Sequence, residues 1–138
     1  MMQLKRCIGL VSPLAIHTDA CKGLENAVKI VFPHAEHREC FGHMWMNVIK
    51  KFHGDDYGGL WPAARSYTPQ THSYHLGKIN AADSGFLPWM QKYHSLLWYR
   101  SGFNTTIKCD HINNNLAESY NNMVKKLKDL HVHDIMYS

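Results

Sequence analysis

Apolar and polar positions alternate between two spacings in the first third of the chain. A short apolar run at 14–18 predicts a buried strand, and apolar residues three and four positions apart predict a helix over 20–32. The segments 35–40 and 41–52 repeat this order, a strand and then a helix. The alternation predicts a right-handed crossover unit of a parallel α/β sheet.

The residues at the ends of these segments predict where the helices begin and end. Thr18 or Asp19 precedes the first helix and can cap its N-terminus, and Pro33 ends that helix. Thr68 is followed by Pro69, which is typical of an N-cap with proline at the first helical position. We therefore expect another helix to begin at Pro69.

The middle of the chain has a different character from its beginning. The segment 60–99 is rich in aromatic residues at helical spacing and poor in strand signals, which predicts a helical insertion in the α/β unit. Helical spacing resumes over 116–127. The expected organisation is one domain over 14–130, with tails at 1–13 and 131–138.

Composition narrows the class of protein. The 138 residues are enough for one domain with a core, and 45% hydrophobic with 19% charged residues is typical of a globular protein. No apolar run approaches the roughly 20 residues that span a bilayer, so we expect no membrane partner. The net charge of +4 is compatible with DNA binding, although dispersed lysines also fit solvated helix faces. Four cysteines without a CxxC pair favour a reducing compartment.

Asp19 and Glu118 are the first candidates for chemistry. Asp19 follows a predicted strand, and ligands of open α/β sheets gather at the carboxyl ends of strands. Carboxylates are the oxygen donors that Mg²⁺ and Mn²⁺ prefer, and a pair of such ions can cleave a phosphodiester. The alternative for Asp19 is a helix cap, and the alternative for Glu118 is a solvent-facing helix residue.

Cys40 and His43 lie three positions apart where a strand is expected to pass into a helix. They could bind zinc, but a structural zinc site needs four ligands. His34, His37 and His111 could complete the set, yet no CxxC or HxxxH motif does so. A buried thiol and imidazole joined by hydrogen bonds is the alternative. Nucleophilic catalysis through Cys21, Cys40 or Cys109 with a histidine is a third interpretation.

Two blocks of the chain carry a family resemblance. The first reads Thr-Asp-Ala-Cys-Lys-Gly-Leu at 18–24 and continues through 31–40 to His43. The second covers 108–121 and contains Asn-Asn-Asn-Leu-Ala-Glu. In this order the blocks resemble the Mutator-like element (MULE) transposases of plants, over about 16–130.

The resemblance implies a fold, an activity and a set of site residues. It implies a ribonuclease H-like fold with a helical insertion, and cut-and-paste DNA transposition in the nucleus by an Asp-Asp-Glu triad that holds Mg²⁺ or Mn²⁺. Asp19 matches the second carboxylate of the triad and Glu118 matches its glutamate, 118 − 19 = 99 positions later. Cys40 and His43 match the Cys-x-x-His signature of the family.

One departure from the family pattern lies upstream of Asp19. The first aspartate of the triad belongs on an earlier strand, and residues 1–18 contain no acidic residue. We therefore expect a truncated transposase domain with a partial ribonuclease H-like fold, lacking the first strands, which does not retain the metal ions and is inactive alone. Two alternatives remain. The chain is a domesticated, non-catalytic DNA-binding or transcription-regulating module, or it has no stable fold because the sheet edges are unpaired.

Overall fold

The computed structural model describes residues 1–9 and 11–128 and shows a mixed α/β chain with seven α-helices and two strands in these ranges. The predicted helical character of 60–99 is confirmed. The predicted tail at 1–13 contains a helix, and the tail at 131–138 lies outside the described residues. The elements are, in chain order, α1 (Met2–Ile8), β1 (Ala15–Thr18), α2 (Lys22–Val31), β2 (Glu36–Glu39), α3 (Phe41–Lys51), a 3-10 helix (Asp55–Gly59), α4 (Leu60–Arg65), α5 (Pro69–Ala82), α6 (Phe86–Tyr93), a second 3-10 helix (Arg100–Gly102) and α7 (Asn115–Lys128).

The two strands pair in parallel, and α2 connects them. Their register runs from Ala15 opposite Glu36 to Thr18 opposite Glu39. Two parallel strands joined by a helix are the arrangement that the alternating apolar spacing predicts. Leu97 adds an isolated parallel bridge to β2, which brings the chain after α6 against the second edge of that strand.

The start of α2 corrects the predicted cap. The helix begins at Lys22, and its N-cap residue Cys21 is extended and makes no side-chain cap hydrogen bond. Thr18 instead places its hydroxyl 2.6 Å from Nε2 of His37, and Asp19 is exposed. The cap prediction was wrong because the chain stays extended as far as Cys21, which occupies the N-cap position. Thr18 and Asp19 therefore lie too far upstream to cap α2.

The main apolar core lies in the helical part of the chain, where α3 packs against the block formed by α4, α5 and α6. Thr68 caps α5 as predicted, because its hydroxyl accepts from the backbone N–H of Thr71 at 3.2 Å. No helix in the described ranges has both the length and the apolarity needed to cross a membrane. The buried members of the core are Phe41, Met44, Val48, Tyr57, Leu60, Ala63, Ala64, Ile79, Phe86, Met90, Trp98, Phe103 and Ile112.

The sheet, in contrast, buries charged residues. Arg38 is fully buried and donates from Nε to Glu36 at 2.6 Å and from Nη1 to the carbonyl of Cys109 at 2.7 Å. Its guanidinium also lies 3.8 Å from the ring centre of Phe103. Burial of this charge is tolerated because a carboxylate, a carbonyl and an aromatic face replace most of the water around it.

Candidate metal centre

The carboxyl ends of the two strands bring Asp19 and Cys40 to the same edge of the sheet. Thr18 and Glu39 are the last paired residues, so Asp19 and Cys40 are the next residue on each strand. The backbone N–H of Cys40 donates to the carbonyl of Thr18 at 2.7 Å, which continues the pairing by one step. Since neighbouring strands lie about 4.8 Å apart, Asp19 leaves the sheet beside Cys40.

Cys40, His43 and Glu118 form a cluster at this edge. Each offers one potential ligand atom, and these atoms all lie within 4.8 Å of one another. Nε2 of His43 is 3.7 Å from Oε1 of Glu118. The Cys40 side chain is buried, whereas those of His43 and Glu118 are 46% and 48% exposed. The cluster therefore has a closed side at the thiol and an open side toward solvent.

Local helix geometry and one docked segment assemble this cluster. Cys40 is the N-cap residue of α3 and His43 lies in its first turn, so a spacing of three places them on one side. The N–H of Phe41 donates to the carbonyl of Ile112 at 2.8 Å, and the Cys40 thiol donates to Oδ1 of Asn114 at 2.9 Å. These two bonds dock the segment before α7 on the start of α3, which places Glu118 next to His43.

The Cys-x-x-His pair itself is not joined by a hydrogen bond from the thiol to the imidazole. The thiol is hydrogen-bonded, but its partner is Asn114 rather than His43. All four cysteines of the chain are free thiols. His34, His37 and His111 do not join the cluster, whose third ligand among the described residues is Glu118.

Asp19 stands in a different relation to the cluster from Glu118. Within 1–9 and 11–128, Asp19 does not belong to any group of three His, Cys, Asp or Glu residues whose ligand atoms come this close together. The structure thus assembles Glu118 with the Cys-x-x-His pair, and it places Asp19 next to Cys40 through strand register. That Asp19 and Glu118 hold metal ions together, as the resemblance implies, stays a prediction.

A buried acid–histidine pair lies behind this edge of the sheet. Nδ1 of His94 is 2.5 Å from Oε1 of Glu39, both side chains are almost fully buried, and Oε2 of Glu39 has no hydrogen-bond partner in the described structure. The sequence did not predict this pair. Its only sign in the sequence is that Glu39, a charged residue, lies inside a strand. His94 also lines a cleft of about 360 Å³, whose other lining residues are Ala20, Asn47, Trp89 and Tyr93.

Burial keeps the histidines of the two strands uncharged. Burial, and next the nearby positive charge of Arg38, lower the pKa of His17 to about 4. Burial also lowers the pKa of His37, whose ring contacts the Thr18 hydroxyl. Both rings are therefore neutral at pH 7, and the buried positive charge of the sheet comes from Arg38.

Comparison with known protein families finds a resemblance for the first third of the chain. Residues 1–47 match the family described as the MULE transposase domain, and this confirms the resemblance to MULE transposases over that segment. The match includes Asp19, Cys40 and His43, whereas Glu118 lies outside it. A search of curated proteins and a search of solved structures each found no match.

Proposed function

We propose that the chain is part of a Mutator-like DNA transposase with a partial ribonuclease H-like fold, in which Asp19 and Glu118 are two of three metal-binding carboxylates. The supporting observation is that both Asp19 and Glu118 lie close to Cys40. Asp19 adjoins Cys40 through the strand register, and Glu118 contributes a ligand atom within 4.8 Å of the Cys40 sulfur. The family match over residues 1–47 adds the class of reaction.

The donor set at this edge fits a hard divalent cation in part. The carboxylates of Asp19 and Glu118 would hold Mg²⁺ or Mn²⁺, which prefer oxygen ligands. When bound, such ions supply an activated water and neutralise the leaving oxygen of a DNA phosphodiester. Hydrolysis breaks the bond between phosphorus and the 3′ oxygen, and the freed 3′ hydroxyl is the nucleophile for strand transfer. The adjoining thiol of Cys40 does not suit Mg²⁺.

We further propose that this chain alone does not cleave DNA. The first aspartate of the family triad lies N-terminal to the second, and residues 1–18 contain no acidic residue. Two carboxylates hold a metal pair less well than three, so the ions would bind weakly and the activated water would not be positioned.

The metal-binding role can be tested without any catalytic activity. Mn²⁺ binding to the purified chain is followed by the loss of the free-ion paramagnetic resonance signal. We expect weak binding that both Asp19→Asn and Glu118→Gln reduce, and that Asp55→Asn, at an exposed position in a 3-10 helix, leaves unchanged. Equal Mn²⁺ binding by wild type and Asp19→Asn would show that the two carboxylates do not share an ion.

A second candidate function is non-catalytic binding of DNA by a domesticated transposase module in the nucleus. The net charge of +4 favours it, as do the adjacent exposed Lys50 and Lys51 at the end of α3. Binding through phosphates needs neither Asp19 nor Glu118, and its affinity falls steeply with salt.

One duplex-DNA assay separates the two candidates. Retention of salt-dependent binding by Asp19→Asn, together with weaker binding by Lys50→Gln/Lys51→Gln, would favour the module. Magnesium-dependent nicking by the purified chain that disappears in Asp19→Asn would instead refute the proposed inactivity and establish an enzyme.

A further inference from the structure

We propose that Cys40, His43 and Glu118 form a site for a zinc-class divalent cation, separate in its ligand chemistry from a magnesium site. The three residues offer sulfur, nitrogen and oxygen donors from two helix starts, and the donor atoms lie within 4.8 Å of one another. The site requires these three side chains and does not require Asp19.

The donor types select the class of ion. Thiolate and imidazole are the ligands of zinc and similar ions, whereas Mg²⁺ takes an octahedral shell of oxygen atoms. Zinc bonds of about 2.0–2.3 Å place two ligands of a tetrahedral ion roughly 3.3–3.7 Å apart. The separation of 3.7 Å between Nε2 of His43 and Oε1 of Glu118 is slightly longer than the roughly 3.3–3.5 Å that zinc bonds to one nitrogen and one oxygen give. Small side-chain movements would bring the sulfur to the same ion.

The surroundings of the cluster match a three-ligand site with one open position. Cys40 is only 1% exposed and sits at the base, while the half-exposed His43 and Glu118 leave room for a water as fourth ligand. Binding would release the thiol proton and end the present hydrogen bond to Asn114. The amide of Asn114 could then turn and donate an N–H to the thiolate, which would orient the ligand from outside the first coordination shell.

The ion would fasten α7 to the rest of the protein. On its described part α7 exposes two large side chains, Tyr120 at 60% and Met123 at 52%. A cation held by Glu118 from α7 and by Cys40 and His43 from α3 would cross-link the two helices. If the proposed function holds, the same ion would also compete with Mg²⁺ for Glu118.

Cobalt titration of the metal-free chain tests the site directly, because a Co²⁺–thiolate bond gives a characteristic charge-transfer absorption. We expect one Co²⁺ per chain with this absorption, displacement by Zn²⁺, and a rise in melting temperature with Zn²⁺. Cys40→Ser should abolish the absorption. His43→Gln and Glu118→Gln should weaken binding at least about ten-fold, since loss of an outer-shell partner alone costs that much.

Matched controls separate this site from the proposed catalytic one. Cys21→Ser and His53→Gln change an exposed thiol and an exposed imidazole, and both should bind Co²⁺ like wild type. Asp19→Asn should also leave Co²⁺ binding unchanged, although it removes a proposed Mn²⁺ ligand. Absence of the thiolate absorption in wild type would overturn the zinc-class site, as would equal affinity in folded His43→Gln, whose substituted position is half exposed.

Discussion

The helical block and the two-stranded sheet bury different kinds of side chains. Around α3 to α6 the interior is apolar, with Phe41, Met44 and Leu60 fully buried. The second strand instead buries Arg38 and Glu39 completely. Each of these charges has a specific partner, Glu36 for Arg38 and His94 for Glu39.

This difference indicates which region contributes stability and which contributes the site. Burying apolar side chains stabilises the fold at roughly 25 cal/mol per Å² of surface, so the helical block supplies most of the favourable energy. Buried ion pairs contribute little net stability, but removal of one partner is costly. The candidate metal centre lies between the two regions, because Cys40 directly follows the polar strand β2 and His43 lies in the first turn of α3, which packs on the apolar block.

The largest expected effect is the loss of an aromatic side chain from the block. Phe86 is fully buried, and its ring centre lies 5.2 Å from that of Phe52 and 5.1 Å from that of Tyr57. Phe86→Ala should lower the free energy of unfolding by about 3–5 kcal/mol, because it leaves a cavity among packed rings. Urea denaturation followed by circular dichroism measures this difference.

A matched substitution on the sheet side provides the control. Ile30 of α2 is 79% exposed, and Ile30→Ala should change the free energy of unfolding by less than about 0.5 kcal/mol. Equal losses from Phe86→Ala and Ile30→Ala would show that burial among the packed rings does not account for the loss from Phe86→Ala.

The next effect concerns the buried pair that joins the two regions. His94→Leu would leave Glu39 as a buried carboxylate without its partner at 2.5 Å, and we expect a loss of about 3 kcal/mol in the free energy of unfolding. The double variant Glu39→Leu/His94→Leu removes both polar groups and should be more stable than His94→Leu. A double variant less stable than either single variant would show that the pair itself stabilises the fold.

Local chemistry explains which parts of this structure could be predicted from the sequence. The cap of α5 was predictable because it involves only four consecutive residues, from the N-cap Thr68 and the following Pro69 to Thr71. The start of α2 was not, since it depends on how far the chain stays extended after β1. The parallel pairing of β1 and β2 followed from the alternation of apolar spacings.

The candidate site also has a part that could be predicted from local sequence and a part that could not. The spacing of Cys40 and His43 is local, and it predicted that they lie together. Glu118 lies in the cluster because Ile112 and Asn114 bind the start of α3. These two contacts join residues 71 and 74 positions apart in the sequence, so no local pattern predicts them. His94 pairs with Glu39, 55 positions away in the sequence, and no local feature distinguishes it from the other histidines among the 11 in the chain.

The smallest expected effect is the response of the helical block to acid. His72 is 7% exposed, donates from Nδ1 to the carbonyl of Ala63 at 2.9 Å, and stacks on Tyr99 with ring centres 3.9 Å apart. Burial lowers its pKa below 6.5, more than the Ala63 carbonyl raises it, and His75 lowers it further. The unfolded chain therefore binds more protons below about pH 6.5, and stability falls as the pH is lowered toward the pKa of the folded state.

The contribution of His72 to this fall cannot exceed about 2 kcal/mol between pH 7 and pH 5, the limit set by an unfolded pKa of 6.5. His72→Phe keeps a ring against Tyr99 but cannot be protonated, so its free energy of unfolding should depend less on pH. Its lost hydrogen bond to Ala63 should cost about 1 kcal/mol at every pH. Exposed His53→Gln is the control and should keep the wild-type slope. An unchanged slope in His72→Phe would place the acid sensitivity in the polar sheet, where burial also lowers the pKa of His17 and His37.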